Sequence, residues 1–332
     1  MLAVTPTDPP APTVPHAVPA PAPAPAPASA GSLDPAWLAR TVAVALDEDL
    51  GPAPGRDVTT QATVDPAVTG EAHLVAREPG VVAGLPVVAE VLRQVASRLG
   101  LAAPAVEQRV PDGTTVAAAD VLAVLTGPVQ ALLVAERTAL NLASRASGVA
   151  THTRRWADAL AGSGAQVLDT RKTTPGLREL EKYAVRCGGG TNKRMGLYDV
   201  AMVKDNHVVA AGGAAAAVRA VRERFPDVVV QVEADTTAQA LEAVGAGARF
   251  LLLDNMPTPV LAATVAAVRA LEPRVGRVEL EATGNLTLAR AAEVAATGVD
   301  YLSVGALTHS SPILDLALDL VAGLSGPVPG AR

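Results

Sequence analysis

Residues 228–255 read VVVQVEADTTAQALEAVGAGARFLLLDN: an apolar run, a polar turn that begins on Glu233, an alanine-rich helical segment and a second apolar run ending on Asp254 and Asn255. Nearly continuous apolar runs of four or five residues are the pattern of strands buried on both faces, and a helix between two of them makes the pair parallel. Further runs of this kind occupy 166–169, 200–203, 278–280 and 301–304, and alanine-rich segments separate the later ones. Six such strands in series predict a closed or nearly closed α/β barrel. A doubly wound sheet is the alternative for the same alternation.

Upstream of these strands the pattern changes. Asp34-Pro35 is an N-cap and first-turn pair that opens a helix through Trp37 and Leu46. Apolar runs at 71–76, 81–83, 106–110 and 121–125 are divided by turns such as Glu78-Pro79-Gly80 and Pro111-Asp112-Gly113, with one helix near 86–98. Leu132, Ala135, Ala139 and Leu142 then recur at helical spacing in a segment from about 128 to 160 that leads into the second domain. The expected division is a small N-terminal α/β domain over 32–145 and an α/β barrel over 146–310 that holds the active site. Leu314, Leu316, Leu318 and Leu320 alternate with Asp315, Ala317 and Asp319, a strand with one wet face. This strand is expected to return to the first domain and complete it over 311–325.

The chain has 332 residues, 49% of them hydrophobic, and a net charge of -6. That balance opposes nucleic-acid binding, and no apolar run reaches the roughly 18 residues of a membrane span. One cysteine, Cys187, cannot form an internal disulfide, which fits a reducing, cytoplasmic setting. The first 30 residues hold ten of the 27 prolines, and no Lys or Arg precedes Arg40. A secretory signal does not fit, leaving residues 1–31 as a disordered Pro/Ala-rich tail or the product of a misplaced start codon. His16 lies in that tail and is expected to be inert.

Basic residues are distributed unevenly. The chain has 23 arginines but four lysines, and Lys172, Lys182, Lys193 and Lys204 all fall in one 33-residue window. A compact ammonium retained there suits a point charge meeting an anion, while chance clustering and a solvated Lys182 are the plainer alternatives. Between Arg171 and Arg194 there are seven basic and two acidic residues, a local excess of +5 that would attract small anions. Asn192, Asn206, Asn255 and Asn285 sit beside the same motifs. His73 and His152 lack partners at metal-ligand spacing and read as structural; His207 would orient the loop after Lys204.

In a βα barrel the strand ends converge on one mouth. The early strands bring Arg171, Lys172 and Lys204 there, near Gly188-Gly189-Gly190-Thr191-Asn192-Lys193-Arg194, and these cations suit carboxylates or pyrophosphate. Middle strands bring Glu233 and Asp254, suited to Mg²⁺ or ribose hydroxyls. The late strands bring Thr283-Gly284-Asn285 and Gly305-Ala306, small-residue loops that offer backbone N–H groups to a phosphate.

Taken together, Asp169-Thr170-Arg171-Lys172-Thr173-Thr174-Pro175-Gly176-Leu177-Arg178, Lys182-Tyr183-Ala184-Val185, Lys204-Asp205-Asn206-His207, Leu253-Asp254-Asn255-Met256, Val304-Gly305-Ala306-Leu307-Thr308-His309 and, upstream, Glu136-Arg137-Thr138-Ala139-Leu140-Asn141 resemble the quinolinate phosphoribosyltransferase family. The likeness covers residues 33–322. It implies an α/β sandwich domain packed on an open α/β barrel, in a homodimer or an assembly of dimers with shared active sites. It also implies formation of nicotinate mononucleotide, CO2 and pyrophosphate from quinolinate and phosphoribosyl pyrophosphate, with Mg²⁺, in NAD biosynthesis.

By the same resemblance Arg171, Lys193, Arg194 and Lys204 bind the quinolinate carboxylates, Arg137 comes from the neighbouring subunit, and Lys172 lies between the substrates. Glu233 and Asp254 face the ribose and Mg²⁺; with Lys172 they are the expected catalytic residues. Thr283, Gly284 and Gly305 cradle the 5′-phosphate, with His309 nearby. One position departs from the family pattern: Lys193 stands where a histidine is common, which leaves room for a related phosphoribosyltransferase acting on another anionic ring. Two rivals from other classes are a Schiff-base barrel aldolase using Lys204 and an anion-sensing binding protein.

Overall fold

The computed structural model describes residues 31–326, so the proline-rich tail of residues 1–30, with His16, lies outside the described residues. Its strands are β1 (Thr69–Ala76), β2 (Gly80–Val81), β3 (Ala105–Gln108), β4 (Thr115–Val116), β5 (Val121–Pro128), β6 (Gln166–Leu168), β7 (Val200–Val203), β8 (Val229–Ala234), β9 (Phe250–Asp254), β10 (Glu279–Thr283), β11 (Tyr301–Ser303) and β12 (Leu316–Leu320).

The N-terminal half is built on an antiparallel sheet in the order β12-β1-β5-β3, with β2 and β4 paired beside it. Asp34 caps the first helix, Pro35–Leu50, by accepting from Ala36 N at 2.9 Å. Helix Leu85–Leu99 buries Leu85, Val88, Val91, Leu92 and Val95, an apolar stripe at helical spacing. The leucine alternation near the C-terminus is β12, in which Leu316 is buried, and it pairs with β1 from Ala72↔Leu320 to Ala76↔Leu316. Helix Val129–Ala159 spans both halves without a break, packing on helices Leu85–Leu99 and Arg178–Cys187 and on β12. At Gly148 the chain near Pro312 crosses this helix so closely that a Cβ would collide with the Pro312 carbonyl.

The six later strands form one parallel sheet in the order β6-β11-β10-β9-β8-β7, with no pairing between its two edges. The barrel is therefore open between its first two strands. Sequence periodicity alone leaves closure undecided; the connection between these strands decides it. Thr191, from the glycine-rich loop, occupies the free edge of β6: its N–H donates to Val167 O at 2.9 Å, and Asp169 N donates back to Thr191 O at 3.2 Å. That edge is no longer available to β7.

The halves are bolted together by buried polar groups. Tyr183 donates to Asp112 Oδ2 at 2.7 Å, and Asp112 also accepts from Gly84 N and Leu85 N. Arg145 on the long helix bonds Glu181 Oε1 at 2.8 Å and the carbonyls of Ser311 and Thr308. His152 is structural, set between Ser311 Oγ at 2.8 Å and Trp156 Nε1 at 3.3 Å, and burial, aided by Arg155, holds its pKa below the usual histidine value.

Candidate active site

Parallel strands carry successive side chains to opposite faces, so Gln231, Glu233 and Asp235 of the β8 segment point one way, as do Glu281 and Thr283 of β10. These, with Leu252 and Asp254 from β9 and Ser303 from β11, face the inside of the sheet. A cavity of about 720 Å³ opens at the strand C-termini, lined by Arg171, Lys172, Lys193, Arg194, Met202, Lys204, Glu233, Leu252, Asp254, Asn255, Thr283, Gly284, Asn285 and Ser303. Nine residues singled out in the sequence thus meet in one cavity although β6 and β10 are more than a hundred residues apart. Gly305 and His309 stand beside it: a Cβ on Gly305 would lie 3.1 Å from both His309 Nε2 and Lys172 Cδ.

The cationic wall depends on the loop that blocks the barrel edge. Gly188 and Gly190 pass under the long helix, where a Cβ on Gly190 would meet Thr153 Cγ2 at 2.7 Å; only glycine allows that approach. The chain then presents Asn192, Lys193 and Arg194. Beneath them Lys182 is fully buried and donates to Asp169 Oδ1 at 2.5 Å and to Lys193 O at 3.2 Å, so the reading of Lys182 as a solvated charge is corrected. Asp169 also accepts from Lys193 N and Asn192 Nδ2, both at 2.7 Å. Burial pushes the Asp169 carboxyl pKa up and the Lys182 ammonium pKa down, each opposed by the partner's charge.

Arg194 is held by Val200 O at 3.0 Å, and burial, reinforced by Arg171, lowers its pKa. The Arg171 guanidinium has no hydrogen-bond partner among the described residues, and its Nε is buried. A buried donor without a partner awaits a ligand or water. His207 Nδ1 accepts from Lys204 N at 3.0 Å, which fixes the turn after β7.

The opposite wall is acidic. Lys204 reaches across to pair with Glu233, whose neighbours Asp235 and Asp254 place carboxylate oxygens within 4.8 Å of it and of one another. Asp235 was not among the expected ligands; it stands one residue past the end of β8, two residues on from Glu233, where the alternation of the strand carries it to the same side. Two neighbouring loops, after β9 and β10, take left-handed backbone: Asn255 and Asn285 adopt φ of 52° and 49°, and Gly284, φ 87°, lies so close to Asn255 that a Cβ would collide with its side chain. Asn285 Nδ2 donates to Asn255 Oδ1 at 3.1 Å, closing the turn.

Arg137 does not join this cavity. It is exposed on the long helix and lines a separate hollow of about 430 Å³ with Asn141, Ser144, Arg145, Thr174 and Asp315. Its guanidinium has no hydrogen-bond or ion-pair partner among the described residues. The aldolase reading of Lys204 loses its footing too. That reading rests on a desolvated lysine, whereas the Lys204 side chain is 45% exposed and sits against Glu233.

Models of the N-terminal and C-terminal domains of quinolinate phosphoribosyl transferase match residues 57–147 and 149–319. The chain belongs to the quinolinate phosphoribosyltransferase family. It is 46% identical over 280 residues to the carboxylating nicotinate-nucleotide pyrophosphorylase of Mycobacterium leprae, covering 84% of this chain and 96% of that protein. It is 38% identical over 297 residues to the decarboxylating quinolinate phosphoribosyltransferase 1 of Nicotiana glauca, covering 85% and 82%. The solved nicotinate-nucleotide pyrophosphorylase of Francisella tularensis superposes with a TM-score of 0.80 at 33% identity, over 88% of this chain and 99% of that one. No helix among the described residues is long and apolar enough to cross a membrane.

Proposed function

We infer that the strand-end mouth transfers a phosphoribosyl group to quinolinate, releasing pyrophosphate and then CO2 to leave nicotinate mononucleotide for NAD biosynthesis. The observation that carries this reading is the division of one cavity into a wall of cations and a wall of carboxylates and tight small-residue turns. Arg171 and Arg194 present guanidinium groups to the two ring carboxylates, the planar recognition for which arginine is suited. The ring nitrogen attacks the anomeric carbon as the bond to pyrophosphate breaks. Lys172, at the opening, is placed to meet the leaving charge, and Glu233 and Asp254 face the sugar as positive charge develops. Once alkylated, the ring nitrogen draws electrons from the bond to the adjacent carboxylate, which leaves as CO2. Thr283, Gly284 and Gly305 offer the 5′-phosphate backbone donors, with His309 alongside.

The hard oxygen set of Glu233, Asp235 and Asp254 fits Mg²⁺. When bound, the ion would neutralise charge on the pyrophosphate; Lys204 meanwhile holds Glu233 in place. The reading includes a cytoplasmic homodimer in which Arg137 completes the partner's site, in keeping with an exposed arginine that has no side-chain partner among the described residues.

Two assays test this. Quinolinate and phosphoribosyl pyrophosphate with Mg²⁺ should release pyrophosphate and CO2 in equal amounts; turnover of nicotinate in place of quinolinate would give the site to another ring. Arg137→Ala and Lys172→Ala, each inactive, should recover about a quarter of wild-type activity when mixed, because about half the dimers are hybrids with one intact site each. Hybrids that form and stay inactive would confine Arg137 to its own subunit.

A further inference from the structure

Like Lys182, Lys193 is held at every polar group it has. Its backbone N–H donates to Asp169 at 2.7 Å, its carbonyl accepts from Lys182 at 3.2 Å, and its ammonium meets Glu281 Oε1 at 2.5 Å. The ammonium is 9% exposed and lines the mouth; Glu281 is wholly buried. Burial lowers the pKa of Lys193, with the Glu281 charge opposing.

Glu281 occupies an inward position of β10 that a barrel of this kind ordinarily fills with a branched apolar side chain. A carboxylate there must be fully provided for. Oε1 accepts from Ser303 Oγ as well as from Lys193, and Oε2 accepts from Gln231 Nε2 at 2.5 Å. Gln231 makes this bond at the expense of its own Oε1, which is buried without a partner among the described residues. Three strands therefore meet at one carboxylate beneath the mouth, and two of its partners, Lys193 and Ser303, line the cavity.

Building on the function inferred above, we propose that Glu281, with Gln231 and Ser303, is a positioning residue for the quinolinate subsite. It cancels the charge of Lys193 and aims its remaining N–H donors into the mouth, so that Lys193 acts as an oriented hydrogen-bond donor and not as a free cation. The net charge facing a dicarboxylate then comes from Arg171 and Arg194. Lys193 replaces a histidine without adding a third cation, and the site keeps its match to a ring with two carboxylates.

The test uses full-length Glu281→Gln, Lys193→Met and the double variant, with kcat and both KM values measured in the pyrophosphate-release assay. Glu281→Gln should raise the KM for quinolinate about tenfold while moving the KM for phosphoribosyl pyrophosphate less than twofold. The double variant should be no worse than Lys193→Met alone, because the two residues act as one unit. Ser303→Ala, which keeps the carboxylate and removes one donor, should raise the quinolinate KM about threefold and still fold if Glu281→Gln does not. Unchanged KM values with only kcat or melting temperature lowered would make Glu281 merely structural and overturn the proposal, as would additive losses in the double variant. Wild-type protein that releases no pyrophosphate from quinolinate would overturn the function itself, and this inference with it.

Discussion

Two lysine–carboxylate pairs flank the cationic wall, and they differ in what surrounds them. Lys182 and Asp169 are 1% and 0% exposed, with Asn192 and the Lys193 backbone using the remaining Asp169 acceptor sites. Lys204 and Glu233 are 45% and 13% exposed, and the Lys204 ammonium retains donors directed at the cavity. The chemistry is the same, but a pair buried away from the cavity with its acceptors all used holds structure, whereas a half-wet pair can exchange one partner for a ligand. The first pair builds the loop on which the mouth depends; the second works at its rim.

The largest expected effect breaks the buried pair. Lys182→Met leaves Asp169 buried without a counter-ion and should lower unfolding free energy by about 3–5 kcal/mol, measured by urea denaturation. Adding Asp169→Asn should recover much of that. A loss below about 1 kcal/mol in the single variant would erase the contrast between the two pairs. At the rim, Lys204→Ala should reduce kcat/KM for quinolinate by the equivalent of about 2–5 kcal/mol. Its stability should shift by no more than about 1 kcal/mol, since a solvent-exposed pair contributes little. If denaturation moves as far as activity does, both pairs are structural.

The smallest effect probes the buried layer through pH. Cys187, one turn beyond Lys182–Tyr183, is wholly buried, and burial together with Asp112 pushes its thiol up to about 12 from the usual value near 9. Below pH 9 both folded and unfolded chains keep the proton, and the stabilisation is complete. Between 9 and 12 only the unfolded chain ionises, so stability falls as pH rises, by up to about 1.4 kcal/mol per unit. Cys187→Ala should flatten that slope in urea midpoints taken from pH 9 to 11, leaving the part due to Tyr183, whose phenol is also shifted up by burial and then by Asp112. An unchanged slope would mean that the layer beneath the mouth admits water as the rim does.

Much of the site was legible because polar residues at strand ends interrupt apolar runs, and Arg171, Lys204, Glu233, Asp254 and Thr283 each announce themselves that way. Asp235 was legible in principle from period two. Glu281 was harder: it reads as one more strand-end acid, and nothing nearby in sequence shows that Lys193, 88 residues away, will neutralise it. A solvated Lys182 stayed open as an alternative because helical spacing does not reveal which face a neighbouring strand will cover.

Alone, the sequence determined the kinds of element and their order, since strand and helix periods, caps and glycine turns depend on neighbours a few residues apart. It also determined which side chains stand at strand ends, because the two-residue period leaves no freedom there. Tertiary structure decided that the barrel stays open, that Thr191 takes the β6 edge, and which carboxylate each lysine meets. Those outcomes depend on competition for one sheet edge and on burial across tens of residues, where desolvation makes a charge tolerable only beside the partner that folding brings to it.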